Sequence, residues 1–124
     1  METGLVFSSH GSALYWHVPP DRSGGALPDS RDLWEVLWTN REILGGVAHT
    51  HPWNGEAHPS QTDVTTFAAV EAGLGERLVW PIVTFSVVGY FTWVGPGRLD
   101  YGELERRRFR LNRDDIERLR DLSR

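Results

Sequence analysis

The chain has 124 residues, 40% of them hydrophobic and 24% charged, and this size and balance predict a single globular domain spanning residues 1–124. It contains no cysteine, which excludes thiolate catalysis and every metal site that needs a cysteine ligand. The net charge of -4 argues against general affinity for nucleic acid. Neither a membrane-length apolar run nor a signal-peptide pattern is present, so we expect a cytoplasmic protein without a membrane partner.

The first third of the chain predicts a hairpin, a loop and a helix. Residues 2–9 and 12–18 have the composition of two antiparallel strands that turn at His10-Gly11. Neither His10 nor His17 has an evident partner. The Pro/Gly-rich residues 19–28 predict a loop long enough to cover a site. Asp29 or Ser30 is predicted to cap a helix that runs through about Asn40. Its apolar stripe, which we assign to the core, consists of Leu33, Trp34, Leu37 and Trp38.

The middle of the chain carries the residues with the clearest chemistry. Residues 43–48 are apolar or small and predict a buried strand that leads into His49 and His51. Side chains two residues apart on a strand point the same way, so both imidazoles can bind one ion. After a short loop, Ser60 predicts the N-cap of a helix, with Asp63 on its first turn. Ligands of the His, His, Asp type leave a fourth tetrahedral position for water, as in catalytic zinc sites.

The same residues also have simpler explanations. Ser60 and Asp63 match a capping box, in which the two side chains satisfy N–H groups at the start of a helix. A His-x-His pair at a strand end is common, and most such pairs bind nothing. The conjunction of an apolar strand, two histidines, a short loop and a carboxylate at a helix start favours the metal site. In the same loop, His58 is expected to be a solvated residue and not a fourth ligand.

The last third of the chain predicts more strands and a final helix. Strands are predicted over residues 78–85 and 87–94, and Pro81 suggests that the first of them is an edge strand or contains a bulge. A further strand follows over residues 99–111, and Asn112 or Asp114 caps a short helix. The predicted fold class is therefore α/β, a mixed β-sheet flanked by helices.

A basic run lies in the last of these predicted strands. It consists of Arg106, Arg107 and Arg108, with Arg110 and Arg113 close behind. One explanation is a solvated strand face whose arginine stems pack over aromatic residues. The other is a docking patch for an acidic partner.

The spaced motif His49-Thr50-His51-Pro52 and Ser60-Gln61-Thr62-Asp63 resembles the signature of the JAMM/MPN+ zinc metalloproteases, in a compact prokaryotic-type form. The resemblance implies one Zn²⁺ per chain, bound by His49, His51 and Asp63, and an oxyanion-stabilising role for Ser60. It also implies an MPN/JAB-like fold with a layered architecture similar to that of cytidine deaminase. The loop from His51 to Ser60 is about one residue longer than the commonest form of the family.

The family also uses a glutamate on an upstream strand to transfer the proton. It is usually followed by two residues, a glycine and an apolar strand, and Glu2 is the best match, although Gly4 comes one place early. The resemblance therefore implies Glu2 as the second catalytic residue. The helix that precedes this strand in the family is missing here, so we expect the strand that follows to anchor Glu2. Three other glutamates are less suitable. Glu35 lies inside a predicted helix, Glu42 has the opposite strand parity to the histidines, and Glu56 lies in the ligand loop without a matching role.

The resemblance implies a deubiquitinase-like activity. The substrate would be a ubiquitin-like or sulfur-carrier protein, cut at the peptide or isopeptide bond that follows its C-terminal Gly-Gly. Trp53 lies in the polar loop after His51 and is a candidate platform for the substrate. The alternative is a catalytically silent MPN-like scaffold or binding module, with Trp53 and the arginine run as its contact surface. The oligomeric state stays open.

Overall fold

The computed structural model describes residues 1–104 and 109–124, and this part of the chain forms a six-stranded mixed sheet with three helices. The strands are β1 (Gly4–Ser8), β2 (Ala13–His17), β3 (Leu44–Thr50), β4 (Trp80–Val83), β5 (Val88–Trp93) and β6 (Tyr101–Glu103). The helices are α1 (Arg31–Thr39), α2 (Gln61–Leu74) and α3 (Arg113–Ser123). The predicted α/β class, with a mixed sheet and flanking helices, is confirmed.

The strand order, β2-β1-β3-β4-β5-β6, places β1 and β3 side by side in the sheet. They are antiparallel, and Gly4 pairs with His49. One residue further, the N–H of Thr50 donates to the carbonyl of Thr3 over 3.0 Å. The start of the chain therefore lies directly beside the strand end that carries both histidines, although about 45 residues separate them along the sequence.

The sheet has a buried core on each face, because alternate residues of a strand point to opposite sides. On one face, Val6 of β1 packs with Leu37 of α1 and Phe67 of α2. On the other face, Leu5 of β1 packs with Leu119 of α3. The helices thus form two outer layers, with α1 and α2 on one side of the sheet and α3 on the other.

The core assignment of the α1 stripe is wrong for its two tryptophans. Leu37 is buried, but the side chains of Trp34 and Trp38 are 40% and 46% exposed. Helix α1 packs against β2, which is an edge strand of the sheet. The two tryptophans on the sides of the apolar stripe therefore extend past the sheet. Trp38 is covered in part by the guanidinium of Arg41, 4.2 Å from the ring centroid.

Pro81 lies in an interior strand whose register with both neighbours is unshifted, so the prediction of an edge strand or a bulge is also wrong. Strand β4 pairs with β5 on one side and with β3 on the other. The β3–β4 ladder has a bridge at Gly46–Val79 and resumes at His49–Ile82, which leaves a gap beside Pro81. Because proline has no N–H to donate, the interruption lets it occupy the middle of a sheet.

The C-terminal region agrees with the sequence in part. Asn112 caps α3 as predicted, and its side-chain oxygen accepts from the N–H of Asp114 over 2.8 Å. Only residues 101–103 of the predicted strand 99–111 are assigned as strand in the described residues. The run Arg106–Arg108, and with it most of the predicted docking patch, lies outside those residues. None of the helices in residues 1–104 and 109–124 combines the length and apolarity that crossing a membrane requires.

Candidate metal centre

Asp63 is held in position by the capping box that starts α2. The hydroxyl of Ser60 accepts from the Asp63 N–H over 3.0 Å, and Asp63 Oδ2 accepts from the Ser60 N–H over 2.9 Å. The prediction of a capping box is therefore confirmed. It does not compete with a metal site, because it fixes the carboxylate beside the two histidines.

The nitrogen and oxygen atoms of the three proposed ligands converge on one point. His49 Nε2 lies 3.1 Å from His51 Nε2 and 3.3 Å from Asp63 Oδ1, and His51 Nε2 lies 3.0 Å from Asp63 Oδ2. Ligands about 2.0–2.1 Å from a tetrahedral zinc are about 3.3–3.4 Å from one another, so the observed spacings are close to those of a tetrahedron. His49, His51 and Asp63 form a group that could hold a metal ion.

The electrostatics also suit a cation. Burial alone would raise the pKa of Asp63, but hydrogen bonds with His49 and His51 outweigh it and hold the pKa well below its usual range. The carboxylate is therefore ionised at neutral pH, as a metal ligand must be. Two buried imidazoles and one half-buried carboxylate gather at a single point, where the Ser60 N–H also donates to the carboxylate.

The ring of His51 is oriented mainly by packing. Its Nδ1 atom is buried and has no hydrogen-bond partner among the residues that the structure describes. Ligand histidines usually donate from this second nitrogen, so a different contact must hold the ring here. The indole of Trp53 covers it, with the two ring centroids 4.5 Å apart. Trp53 is itself 47% exposed, which leaves its other surface available at the mouth of the site.

Glu2 lies in the same cleft as the metal group and is only 8% exposed. Burial raises the pKa of Glu2 above its ordinary value, and the nearby His49 and His51 lower it to a smaller extent. The expectation that β1 alone anchors Glu2 is wrong. Its N–H also donates to the carbonyl of Ser23 over 2.7 Å, so the loop of residues 19–28 holds it as well.

The three other glutamates considered from the sequence are exposed and lie outside the cleft. Glu35 is exposed and pairs with Arg31 over 3.0 Å, and Glu56 is exposed and pairs with His58 over 2.9 Å. Glu42 is exposed at the start of the segment leading into β3. Among the described residues, none of the three lines the cleft that contains His49, whereas Glu2 does. His58 is a solvated loop residue in the structure, as expected.

The cleft is large enough to admit a peptide segment. Its volume is about 490 Å³, and its floor is the end of β3 with His49 and His51. Ser60, Thr62 and Thr66 from the start of α2 form one wall. The loop of residues 25–29 and the apolar side chains of α1 form the opposite wall. All six residues selected from the sequence line this one cleft: Glu2, His49, His51, Trp53, Ser60 and Asp63.

Two buried residues near the cleft were not identified from the sequence. The sequence offers no evident partner for His17, but in the structure its Nε2 lies 2.6 Å from the carbonyl of Pro28 and so ties β2 to the loop beside the cleft. Glu71 of α2 accepts from the Leu78 N–H over 2.8 Å and from Trp80 Nε1 over 3.0 Å. In each case the partner is distant in sequence or belongs to the backbone of a loop, so no local pattern indicates the contact.

The chain matches no protein-family model and no curated protein sequence. The site is therefore interpreted from its own geometry and from the motif that its sequence carries.

Proposed function

We propose that the protein is a zinc-dependent metallopeptidase of the JAMM/MPN+ type, with that family's MPN/JAB-like fold. The observation that carries the proposal is the convergence of His49, His51 and Asp63 at one end of a cleft that Glu2 and Ser60 also line. These residues come from three separate parts of the chain, and a purely structural role gives no reason for all of them to meet there.

Zinc is the metal that fits this set of ligands best. Two imidazole nitrogens and one carboxylate oxygen, spaced nearly as in a tetrahedron, are typical of zinc sites that retain an open position. Magnesium and calcium prefer six or more oxygen ligands, which this group does not offer. When bound, the metal supplies Lewis-acid chemistry that polarises a carbonyl and makes water more acidic.

Glu2 is the proposed general base and acid. Burial raises the pKa of Glu2, and a raised pKa suits a carboxyl group that must both accept and release a proton. The carboxylate takes a proton from the attacking water and delivers it to the nitrogen of the leaving amine. One side chain could perform both steps because Glu2 lines the same cleft as the metal group, where the water and the amine would both lie.

Ser60 is the proposed stabiliser of the oxyanion. In the capping box its oxygen accepts from the Asp63 N–H, and this leaves the single hydroxyl proton free to donate into the cleft. A hydrogen bond to the developing oxyanion is worth on the order of 3 kcal/mol in other enzymes. Ser60 therefore serves two purposes, since its oxygen caps α2 while its proton remains available for the substrate.

The proposed substrate is the C-terminal Gly-Gly tail of a ubiquitin-like or sulfur-carrier protein, cut at a peptide or isopeptide bond. The motif resemblance supports this choice. An extended glycine tail can pass close to the metal group because it has no side chains, and the half-exposed indole of Trp53 offers it a flat surface.

Zinc content is the direct test of the proposal. We expect about one zinc per purified native chain and none in His49→Ala, measured by elemental analysis after dialysis against metal-free buffer. Glu56→Ala, which alters an exposed residue of the same loop, is the matched control and should retain zinc. Absence of zinc from the native chain, even after loading, would favour a metal-free scaffold or binding module.

A further inference from the structure

A cluster of buried hydroxyls lies behind the metal group, on the α3 face of the sheet. We call it the back-face cluster, and it consists of Thr3, Thr50 and Ser123, all at most 2% exposed. Thr50 stands between His49 and His51, and Thr3 follows Glu2. Because side chains alternate along a strand, these two threonines point away from the cleft while their neighbours point into it.

Ser123, in the last turn of α3, is the centre of this cluster. Its Oγ lies 2.9 Å from Thr3 Oγ1, 2.8 Å from Thr50 Oγ1 and 2.7 Å from the carbonyl of Leu119. A hydroxyl has one proton and two lone pairs, so these three contacts use its full capacity. A buried hydroxyl with every position satisfied holds its partners in one arrangement.

The same residue holds Glu2 from both sides. The Met1 nitrogen donates to the Ser123 carbonyl over 2.6 Å, and Thr3 contacts the Ser123 hydroxyl. Thr3 is held further by Arg22, whose Nη1 donates to its Oγ1 over 2.6 Å. The residues immediately before and after Glu2 are therefore fixed to one turn of α3, although about 120 positions separate the two segments.

The cluster also links Glu2 to the histidines. The Thr3 N–H donates to Thr50 Oγ1 over 2.8 Å, and the Thr50 N–H donates to the Thr3 carbonyl over 3.0 Å. Of the two hydrogen bonds that join Thr3 to Thr50, one is therefore made by the Thr50 side chain instead of its backbone. That side chain is in turn held by Ser123. Loss of the Ser123 hydroxyl would loosen Glu2 relative to His49 and His51 without touching the cleft.

We propose that Ser123 is a positioning residue that sets the distance between Glu2 and the metal group from the opposite face of the sheet. This inference rests on the proposed function in its catalytic part only. The positioning itself is a property of the folded chain and can be measured without substrate.

Backbone hydrogen exchange in the metal-free protein tests the positioning. Ser123→Ala keeps the carbonyl that binds Met1 but removes the hydroxyl shared by Thr3 and Thr50. We therefore expect the amides of Glu2 and Thr3 to exchange at least about tenfold faster. The amide of Val6, in the middle of β1, should keep its rate. Thr65→Ala is the matched control, since Thr65 makes the same kind of hydroxyl contact to the carbonyl four residues earlier, on the exposed side of α2. Unchanged rates at Glu2 and Thr3 would overturn the proposal, as would equal acceleration at all three amides.

Kinetics and zinc affinity test the catalytic consequence. We expect Ser123→Ala to lower kcat at least about tenfold, since a misplacement of about 1 Å can cost a hundredfold. KM and zinc affinity should stay within about twofold. Native kcat together with faster exchange at Glu2 would overturn the catalytic part. A native chain that binds no zinc or cleaves nothing contradicts the proposed function instead, and the exchange result still decides the positioning.

A second pair of variants covers the case in which Ser123→Ala does not fold. Thr3→Val keeps the shape of the side chain but removes its hydroxyl, and Thr3→Ser keeps the hydroxyl. We expect the valine variant to reproduce the faster exchange at Glu2 and the lower kcat, and the serine variant to restore both. Equal behaviour of the two variants would overturn the proposal, because the Ser123 hydroxyl acts on Glu2 through its contact with the Thr3 hydroxyl.

Discussion

Helix α2 carries a half-buried carboxylate, Asp63, and a fully buried one, Glu71, and their surroundings differ completely. Asp63, on the first turn, faces two imidazole nitrogens and an open cleft. Glu71, two turns later, is surrounded by hydrogen-bond donors from Leu78, Trp80, Arg77 and Tyr101. A carboxylate whose oxygens are all satisfied contributes to stability. One that shares its oxygens with two histidines belongs to a group that could hold a cation.

The largest expected effect is the loss of metal in Asp63→Asn. Asparagine can still accept from the Ser60 N–H, so the start of α2 is preserved, but its neutral amide is a poor ligand. We expect zinc affinity to fall more than about a hundredfold, beyond the usual effect of residues that only support ligands. Competition with a chromophoric chelator measures it. Native affinity in this variant would remove Asp63 from the site.

Glu2→Gln separates metal binding from catalysis. The amide is of the same size but cannot accept a proton, so we expect kcat to fall by about 10²–10⁴-fold while zinc content is unchanged. Glu56→Gln is the matched control, because Glu56 is exposed and does not line the cleft. The measurement is steady-state hydrolysis of a Gly-Gly-tailed fusion, with elemental analysis of the same samples. Full turnover in Glu2→Gln would move the base to another residue.

Glu71→Gln should lower the stability of the fold and leave zinc binding intact, which is the opposite of the effect expected for Asp63→Asn. Glutamine places an amide group among donors that need an acceptor, and hydrogen bonds to a charged group are typically worth about 1.5–3 kcal/mol. We expect the free energy of unfolding to fall by roughly that amount, measured by urea denaturation of the metal-free protein. The folded fraction should keep its zinc. Loss of zinc from fully folded Glu71→Gln would show that the two carboxylates are coupled.

The smallest expected effect concerns alkaline pH. Burial and the neighbouring Glu71 raise the pKa of Tyr101 above its ordinary value of about 10. The folded protein therefore holds this proton more tightly than the unfolded chain. The stabilisation is complete below pH 10 and is lost as the pH rises from there towards the folded pKa. Tyr101→Phe should show a shallower decline of unfolding free energy above pH 10, measured by denaturation at several pH values. An identical decline in both proteins would contradict this assignment.

Local signals in the sequence account for much of the site. Ser60 and Asp63 predict the start of α2 because capping depends on residues three positions apart. The small and apolar run before His49 predicts β3 because strand formation responds to a few neighbouring side chains. The positions of Trp34, Trp38 and Pro81 could not be predicted in this way. Their exposure or burial depends on which element lies next to them, and no short pattern specifies that.

The sequence alone predicts the order of most helices and strands, the capping box of α2, and which side chains are candidates for binding a metal or transferring a proton. The tertiary structure alone decided that these residues meet in one cleft, that Glu71 is satisfied by Tyr101, and that Ser123 stands behind Glu2. The two kinds of feature differ in the sequence distance over which the interactions act. Capping and strand alternation act over two to four residues, whereas the contacts that assemble this site join segments as far apart as Thr3 and Ser123 and form only when both faces of the sheet are packed.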